Sequence, residues 1–305
     1  MTADVSNNKT ALVTGATGFV GSHITHRLIS EGWTVHVIAL PADNFTLLKK
    51  SIDRITVHTH DGSTANMNEI VSRSRPSIVF HLASLFLSQH GQKDIEPLVR
   101  SNVLFGAQLL DALVLYGCHR FVNTGTSWQH CDNREYSPAN LYAATKQAFE
   151  DILQYYVEAT PLQAITLKLF DTYGPDDPRP KLFTLLRKTA AGQQTLDMSP
   201  GEQLIDLVYI DDIVHAFLMS AQRLMSTELS SHEHYAVSSG NPLPLRDLVA
   251  LYASVIKKDV PIRWGGRSYR PREVMVPWNT GNRLPGWEPK IGLAQGIRLM
   301  EDSAA

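Results

Sequence analysis

Only two cysteines occur in the 305 residues, Cys118 and Cys131, and neither lies in a CxxC or in a Cys/His grouping with metal-ligand spacing. Both are therefore expected to be reduced and structurally ordinary. There is no basic surplus, because 28 Lys and Arg stand against 30 Asp and Glu. A formal charge of -2 argues against nucleic acid and against an anionic membrane surface, and leaves a small molecule as the expected ligand. The chain opens MTADVSNNKTALVTG, polar residues passing straight into a strand, without the charged-then-apolar pattern of a secretory signal. No apolar run is judged to approach the roughly 18 residues that span a bilayer, so a cytoplasmic protein is expected. The 12 histidines include His58 and His60, and His232 and His234, but HxH spacing alone is a weak ligand set and no metal is expected. Repeats, low-complexity stretches and flexible linkers are also lacking.

What is present is an ordinary globular chain, 43 % apolar, long enough for one large domain or two smaller ones. Up to about residue 170, short β-branched runs alternate with segments of helical period, the pattern of an α/β Rossmann-type doubly wound parallel sheet. Strands are predicted at 10–15, 34–40, 55–61, 77–83, 120–126 and 164–170, and helices at 19–31, 64–74, 94–116 and 140–158. The third helix is apolar over much of its circumference and ends at Gly117, a suitable C-cap. Such a helix is buried within the monomer or meets another subunit. After residue 175 the alternation falters and Pro, Gly and Trp become frequent. A dinucleotide-binding domain over 1–175, rejoined by about 204–230, is predicted beside a smaller substrate lobe from 176–203 and 231–305.

ALVTGATGFVGSHITHRL places Gly15, Gly18 and Gly21 where the first strand meets the first helix. Glycine permits the tight turn at 15, close approach of a pyrophosphate at 18 and close packing of helix on sheet at 21. The helix then offers unpaired N–H groups and its positive dipole end to the phosphates. Dinucleotide sites for NAD often carry an acid at the end of the second strand, whereas a nearby Arg favours NADP. Here that strand ends VIALPADN, with Asp43 and Asn44 displaced and Lys49 and Lys50 farther on. NAD(P) is expected, its phosphate state left open.

Tyr142 and Lys146 stand four apart in NLYAATKQAFEDI and so share a helix face. A free phenol has a pKa near 10, and a neighbouring ammonium together with an oxidised nicotinamide is expected to lower it. Thr126 ends the fifth predicted strand and joins them.

Several segments in this order, TGATGFVG, HLAS, SNVLFGAQLLDA, TGTSW, YAATK, LKLFDTYGP and DLVYIDDIVHAF, resemble the extended short-chain dehydrogenases/reductases of the nucleotide-sugar epimerase/dehydratase type. TGTSWQH, LKLFDTYGPDDPR and YRPREVM are most similar to 4-keto-sugar reductases of the CDP-abequose and CDP-paratose synthase kind. The resemblance implies a pyrophosphate turn of Gly15, Thr17, Gly18, Phe19, Val20 and Gly21. It places Asp61 and Gly62 at the adenine, Leu82, Ala83 and Ser84 beside the nicotinamide, and Thr126, Tyr142 and Lys146 as the catalytic trio. Ser84, Thr126, Asp171 and Arg270 are implied at a nucleotide-sugar substrate. Arg179 or Lys181 of the PDDPRPK loop is a further substrate candidate, with a solvated loop as the plain alternative.

Three departures accompany the resemblance: the strand-end acid is missing, Ile205 stands where many relatives have Arg, and Ser127–Trp128 replace the Asp-Glu of the dehydratases. Loss of water is therefore not expected. Reduction of a keto-sugar and 4-epimerisation with tightly bound NAD both remain open, and a non-catalytic scaffold is disfavoured because Tyr142 and Lys146 are both present. Trp128 and His130 are read as pocket lining or packing, and Asp211–Asp212 as a helix N-terminus rather than a catalytic pair. Helices 94–116 and 140–158 are implied as a homodimer seam.

Overall fold

Val, Ile, Leu and Phe runs cover both faces of a parallel sheet in the computed structural model, which describes residues 9–192, 195–226, 229 and 232–303. The chain lays down β1 (Thr10–Thr14), α1 (Phe19–Ser30), β2 (Thr34–Ala39), β3 (Ile55–Thr59), α2 (Thr64–Ser74) and β4 (Ile78–His81). It continues through α3 (Ile95–Val99), α4 (Phe105–Leu115), β5 (Arg120–Thr126), α5 (Leu141–Ala159), β6 (Gln163–Leu169) and β7 (Asp171–Tyr173). Then come α6 (Leu182–Ala191), β8 (Leu196–Met198), β9 (Leu204–Ile205), β10 (Leu207–Tyr209), α7 (Ile210–Ser226) and β11 (Glu233–Val237). β12 (Leu243–Pro244), α8 (Leu245–Ile256), β13 (Ile262–Trp264) and α9 (Leu293–Asp302) complete it.

The seven-stranded sheet has the order β11-β6-β5-β4-β1-β2-β3 and every pairing in it is parallel. It separates two apolar cores. Ile24, Leu28, Ile213 and Phe217 of α1 and α7 fill one, and Met67, Leu109, Leu113, Phe149 and Leu153 of α2, α4 and α5 fill the other. Each fully buried Leu, Ile or Phe among them contributes about 1.5–3 kcal/mol relative to an exposed one. The strand order reverses between β1 and β4, and a parallel sheet leaves its ligand crevice at the carboxyl ends on either side of such a reversal.

The expected α/β architecture is present, with three corrections. β11 belongs to the large sheet beside β6, so the chain does not leave the dinucleotide unit at residue 231; its residues, EHYAV, open on Glu and His and lack the β-branched run of the other strands. β10 does not rejoin the large sheet either. It pairs with β7 in a separate two-stranded ribbon, and only the following α7 packs on the sheet, against β5 and β6. Finally, Gln92–Leu115 is long and apolar enough to span a membrane by length and composition, contrary to the expectation that no run approaches this. Half of its most apolar window is buried within this fold, against α2 and α5.

That segment is one helix interrupted by a π-turn at Arg100–Leu104. Its end behaves as expected: Gly117 takes φ +73, and Cys118 N donates to Leu113 O at 2.8 Å, closing a Schellman-type cap. Gly106 lets α4 approach α5, since a Cβ there would lie 2.3 Å from the Phe149 ring.

Candidate active site

The glycine turn is a backbone cradle with no room for side chains. Gly15 has φ +68, and a Cβ on it would lie 2.6 Å from Ala83 N; a Cβ on Gly21 would lie 2.1 Å from Gly15 O. Gly18 caps α1 with an extended backbone, so the helix opens at Phe19 with its N–H groups facing the turn. This concavity fits a dinucleotide pyrophosphate, held by the backbone of 15–21 with Thr17, Phe19 and Val20 around it. Across the reversal point, Leu82 N and Ala83 N both donate to Thr14 Oγ1, at 3.2 and 3.1 Å, which ties the end of β4 to the turn. Thr14 Oγ1 also contacts His81 Nδ1 at 2.9 Å. Burial, and secondarily the charge of Lys146, hold His81 neutral.

At the far end of this side, Asp61 is exposed and its carboxylate accepts from Ser63 N at 2.8 Å. Gly62, at φ +92, passes its carbonyl to Gln108 Nε2 at 3.1 Å. Both residues thus shape the loop after β3.

Asn140 starts α5 by accepting from Ala143 N at 2.9 Å, and this cap fixes the first turn that carries Tyr142. Burial pushes the Tyr142 phenol up to about 12, opposed by a hydrogen bond with Ser84 and by the charge of Arg179. Lys146, 1 % exposed, is pushed down to about 8 by burial, opposed by Glu150. Among the protein's own groups, desolvation of the phenolate outweighs the Ser84 hydrogen bond and the Arg179 charge. At neutral pH this phenol is protonated.

Thr126, at the end of β5, is buried and accepts from Trp128 N at 3.3 Å. Its own N–H donates to Gln129 Oε1 at 2.9 Å, and Gln129 Nε2 donates to Glu150 Oε1 at 3.0 Å. Glu150 in turn pairs with Lys168 at 3.0 Å, both side chains at most 5 % exposed. Glycine at 125 makes space for this carboxylate, since a Cβ there would sit 2.7 Å from Glu150 Oε1. Breaking one partner of such a pair would strand a buried charge, at a cost of about 3–5 kcal/mol.

Asn102 was absent from the expected site and belongs to it. It sits buried in the π-turn, accepts from Ser84 Oγ at 3.2 Å and from Leu85 N at 2.7 Å, and donates to Leu85 O and to Thr145 Oγ1. It thereby fixes the serine that meets Tyr142. A polar residue within the apolar run of SNVLFGAQLLDA was the available signal, and π-turns concentrate at functional sites.

A cavity of about 560 Å³ opens between this face and the loops after β6, lined by Phe86, Trp128, Asp171, Lys181, Arg267 and Arg270 among others. Phe86 joins it to the trio, its ring 5.0 Å from that of Tyr142 and 5.6 Å from that of Trp128. Asp171 Oδ1 lies 3.8 Å from Lys181 Nζ, and Arg270 Nε lies 3.4 Å from Glu273 Oε2. Asp206 anchors this wall: its carbonyl accepts from Asp171 N, and its carboxylate accepts from Ser238 Oγ and Ser239 N. Arg267, also overlooked in the sequence, reaches the cavity with no ion pair among the described residues.

Arg179 is drawn elsewhere. Its guanidinium grips Asp177 in a bidentate pair, donates to Thr172 O and Oγ1, and lies 4.7 Å from the Phe19 ring centroid, at the start of α1. It does not line the cavity. His130 stacks on Trp278 at 3.9 Å and packs there, while Trp128 lines the cavity. Asp212 holds the C-terminal segment, accepting from Lys290 N and Ile291 N at 3.0 Å each, and has no part in the cleft. Among the described residues no group of three or more His, Cys, Asp or Glu could hold a metal ion.

Comparison with known proteins agrees with this geometry. A CDP-abequose synthase of Salmonella muenchen is 24 % identical over 298 residues, covering 96 % of this chain and 97 % of that protein. A UDP-glucose 4-epimerase of Mycolicibacterium smegmatis is 25 % identical over 304 residues, covering 94 % and 95 %. The crystal structure of Thermus thermophilus UDP-glucose 4-epimerase in complex with NAD superposes with a TM-score of 0.81 at 24 % identity, over 96 % of this chain and 98 % of that one. The NAD dependent epimerase/dehydratase family model matches residues 11–237, from the first sheet strand to the last. Glycine cradle, Tyr–Lys helix and a match across the whole sheet lead to one conclusion: this chain is an NAD(P)-dependent enzyme of the NAD dependent epimerase/dehydratase family, within the extended short-chain dehydrogenases/reductases.

Proposed function

We propose that the protein reduces a nucleotide-linked 4-keto-6-deoxy, or dideoxy, hexose to the hydroxy sugar. The observation that carries this reading is a trio with a protonated phenol and no acid beside Thr126, where Ser127 and Trp128 follow instead. Similarity to CDP-abequose synthases along nearly the whole of both chains supports it. When bound, the reduced nicotinamide supplies the hydride. Tyr142 gives its proton to the carbonyl oxygen, which keeps negative charge from building up there. Ser84, held by Asn102, orients the phenol, and the Thr126 hydroxyl donates to the same substrate oxygen. Lys146 holds the cofactor ribose and supplies positive charge beneath Tyr142. Arg270, Lys181 and Asp171 receive the nucleotide sugar in the cavity, Arg270 through a fork suited to a diphosphate.

The cofactor belongs to the large sheet in this reading, and the nucleotide sugar to the lobe of 176–203 and the segments after β11. The π-turn, α4 with its C-cap, and α5 carry the exposed Leu104, Leu115, Tyr116 and Tyr155, which we assign to the seam of a homodimer. Sedimentation at micromolar concentration should give a dimer, and a monomer alone excludes that seam.

The experiment for the reaction is oxidation of NADH and NADPH by purified protein across nucleotide 4-keto-6-deoxyhexoses, with Tyr142→Phe as control. Turnover that Tyr142→Phe abolishes supports reduction, and no oxidation with any of them excludes it. A second reading, 4-epimerisation with tightly bound NAD, is favoured by the relationship to UDP-glucose 4-epimerases. It predicts NAD retained through purification and product formed from a hydroxy sugar with no added reductant.

A further inference from the structure

We infer that Glu150 is the positioning residue beneath the trio, a single carboxylate that holds Thr126 in place through Gln129 and stands as the counter-ion of Lys146. This rests on the trio of the proposed function and on neither direction of hydride transfer. Glu150 follows Lys146 by one turn of α5, at i and i+4, and both side chains are buried. Its oxygens are divided between two tasks. Oε2 pairs with Lys168 Nζ at 3.0 Å and lies 3.7 Å from His234 Nδ1. Oε1 accepts from Gln129 Nε2 at 3.0 Å, and the other end of that amide, Gln129 Oε1, accepts from Thr126 N at 2.9 Å.

The carboxylate decides which way the Gln129 amide points. It can take only the NH2 end, which leaves the carbonyl for Thr126 N and completes the capping box over Ser127–Gln129. An amide turned round would set its oxygen against Glu150 and its NH2 against a backbone donor. Gln147 Oε1 accepts from the same Nε2 at 2.8 Å and favours the same orientation. Thr126 is thereby fixed from behind by α5, the helix that carries Tyr142 and Lys146. Glu150 also opposes the burial that holds Lys146 at about 8, while Tyr142, one turn earlier, and His81 of β4 are both neutral. Toward Glu150 come Lys168 of β6, His234 of β11 and His130 of the turn after β5, and burial keeps both histidines below their ordinary value. An ammonium poised so close to neutral pH changes charge when that carboxylate is removed.

The test is the pH dependence of NADH binding by the purified full chain, read by fluorescence without sugar, so that it stands or falls apart from the proposed reaction. With Lys146 holding the cofactor ribose, the NADH Kd of the wild type should rise as pH passes about 8. Glu150→Gln keeps an oxygen for Gln129, and is combined with Lys168→Met so that no charge is left buried alone. In that double variant the rise should move down to about 7, since an opposite charge one turn away is worth about one pH unit to a buried group. A role in packing alone would lower Tm and leave the midpoint where it was. The second variant, Gln129→Met, leaves the ion pair whole, and carries the test should the double variant fail to fold. Its midpoint should stay at about 8 while turnover falls about 10- to 100-fold, the cost of a slightly misplaced Thr126. A double variant with the wild-type midpoint, a wild type with no midpoint up to about pH 10, or a Gln129→Met variant with wild-type turnover overturns the assignment.

Discussion

On the cofactor side of the cleft, what meets a ligand is mostly main chain: the turn from Gly15 to Gly21, the start of α1, and the end of β4 lashed to Thr14. The substrate side, between β7 and the segment after β13, offers long charged side chains, most of them already paired: Lys181 with Asp171, Arg270 with Glu273, Arg187 with Glu301. A backbone site is complete once the strand and helix form, and tolerates no added atom. A side-chain site must exchange its internal partners for the ligand, so its changes are graded and its specificity is adjustable. One framework can in this way keep a cofactor and change its sugar.

That contrast can be broken at four places. Tyr142→Phe removes the proton donor at the boundary of the two sides, and kcat should fall about 10²- to 10⁴-fold while NADH affinity stays within about twofold; unchanged turnover would remove the phenol from the chemistry. Next is Gly21→Ala, whose methyl would meet Gly15 O at 2.1 Å. Overpacking of this kind costs about 1–3 kcal/mol, and calorimetry should show a lowered Tm with NADH affinity lost as well. Arg270→Ala, on the graded side, should raise the KM for the nucleotide sugar about tenfold through loss of a charge-assisted bond, with the NADH Kd unchanged. If Arg270→Ala weakened NADH and sugar alike, the division into two sides would fail.

The mildest effect is on the pH profile. Lys146 carries its charge below about 8 and loses it above, because burial depresses an ammonium's pKa. kcat/KM should therefore fall as pH rises through about 8, far below the value near 12 at which Tyr142 would ionise. A profile flat to pH 10 would mean that the Lys146 charge contributes little.

The same contrast explains what could be read from the sequence. Three glycines at fixed spacing and a Tyr–Lys pair at i and i+4 are local patterns, and each sits where its pattern placed it. Six strands of the large sheet were legible from β-branched runs, whereas β11 was not, because its stability comes from pairing with β6 rather than from its own residues. Asp43 lies only three residues past Leu40, but its return to the strand end depends on a turn closed by its own side chain. Asn102 works through Ser84 and Thr145, 18 and 43 positions away. Where the Arg179 guanidinium lies is set by Asp177 and Thr172, which residue type alone does not reveal. The burial of Tyr142 was hidden for a related reason: spacing reveals a neighbouring charge but not the depth of burial that opposes it.

The central claim is that Tyr142 gives a proton while hydride passes to a sugar carbonyl carbon. Its most direct measurement is mass spectrometry of the product formed from a nucleotide 4-keto-6-deoxyhexose and NADH deuterated at the transferring position. One deuterium on the sugar at C4 for each NADH consumed is the predicted result. A product without deuterium, or one formed from a hydroxy sugar with no NADH consumed, would contradict it.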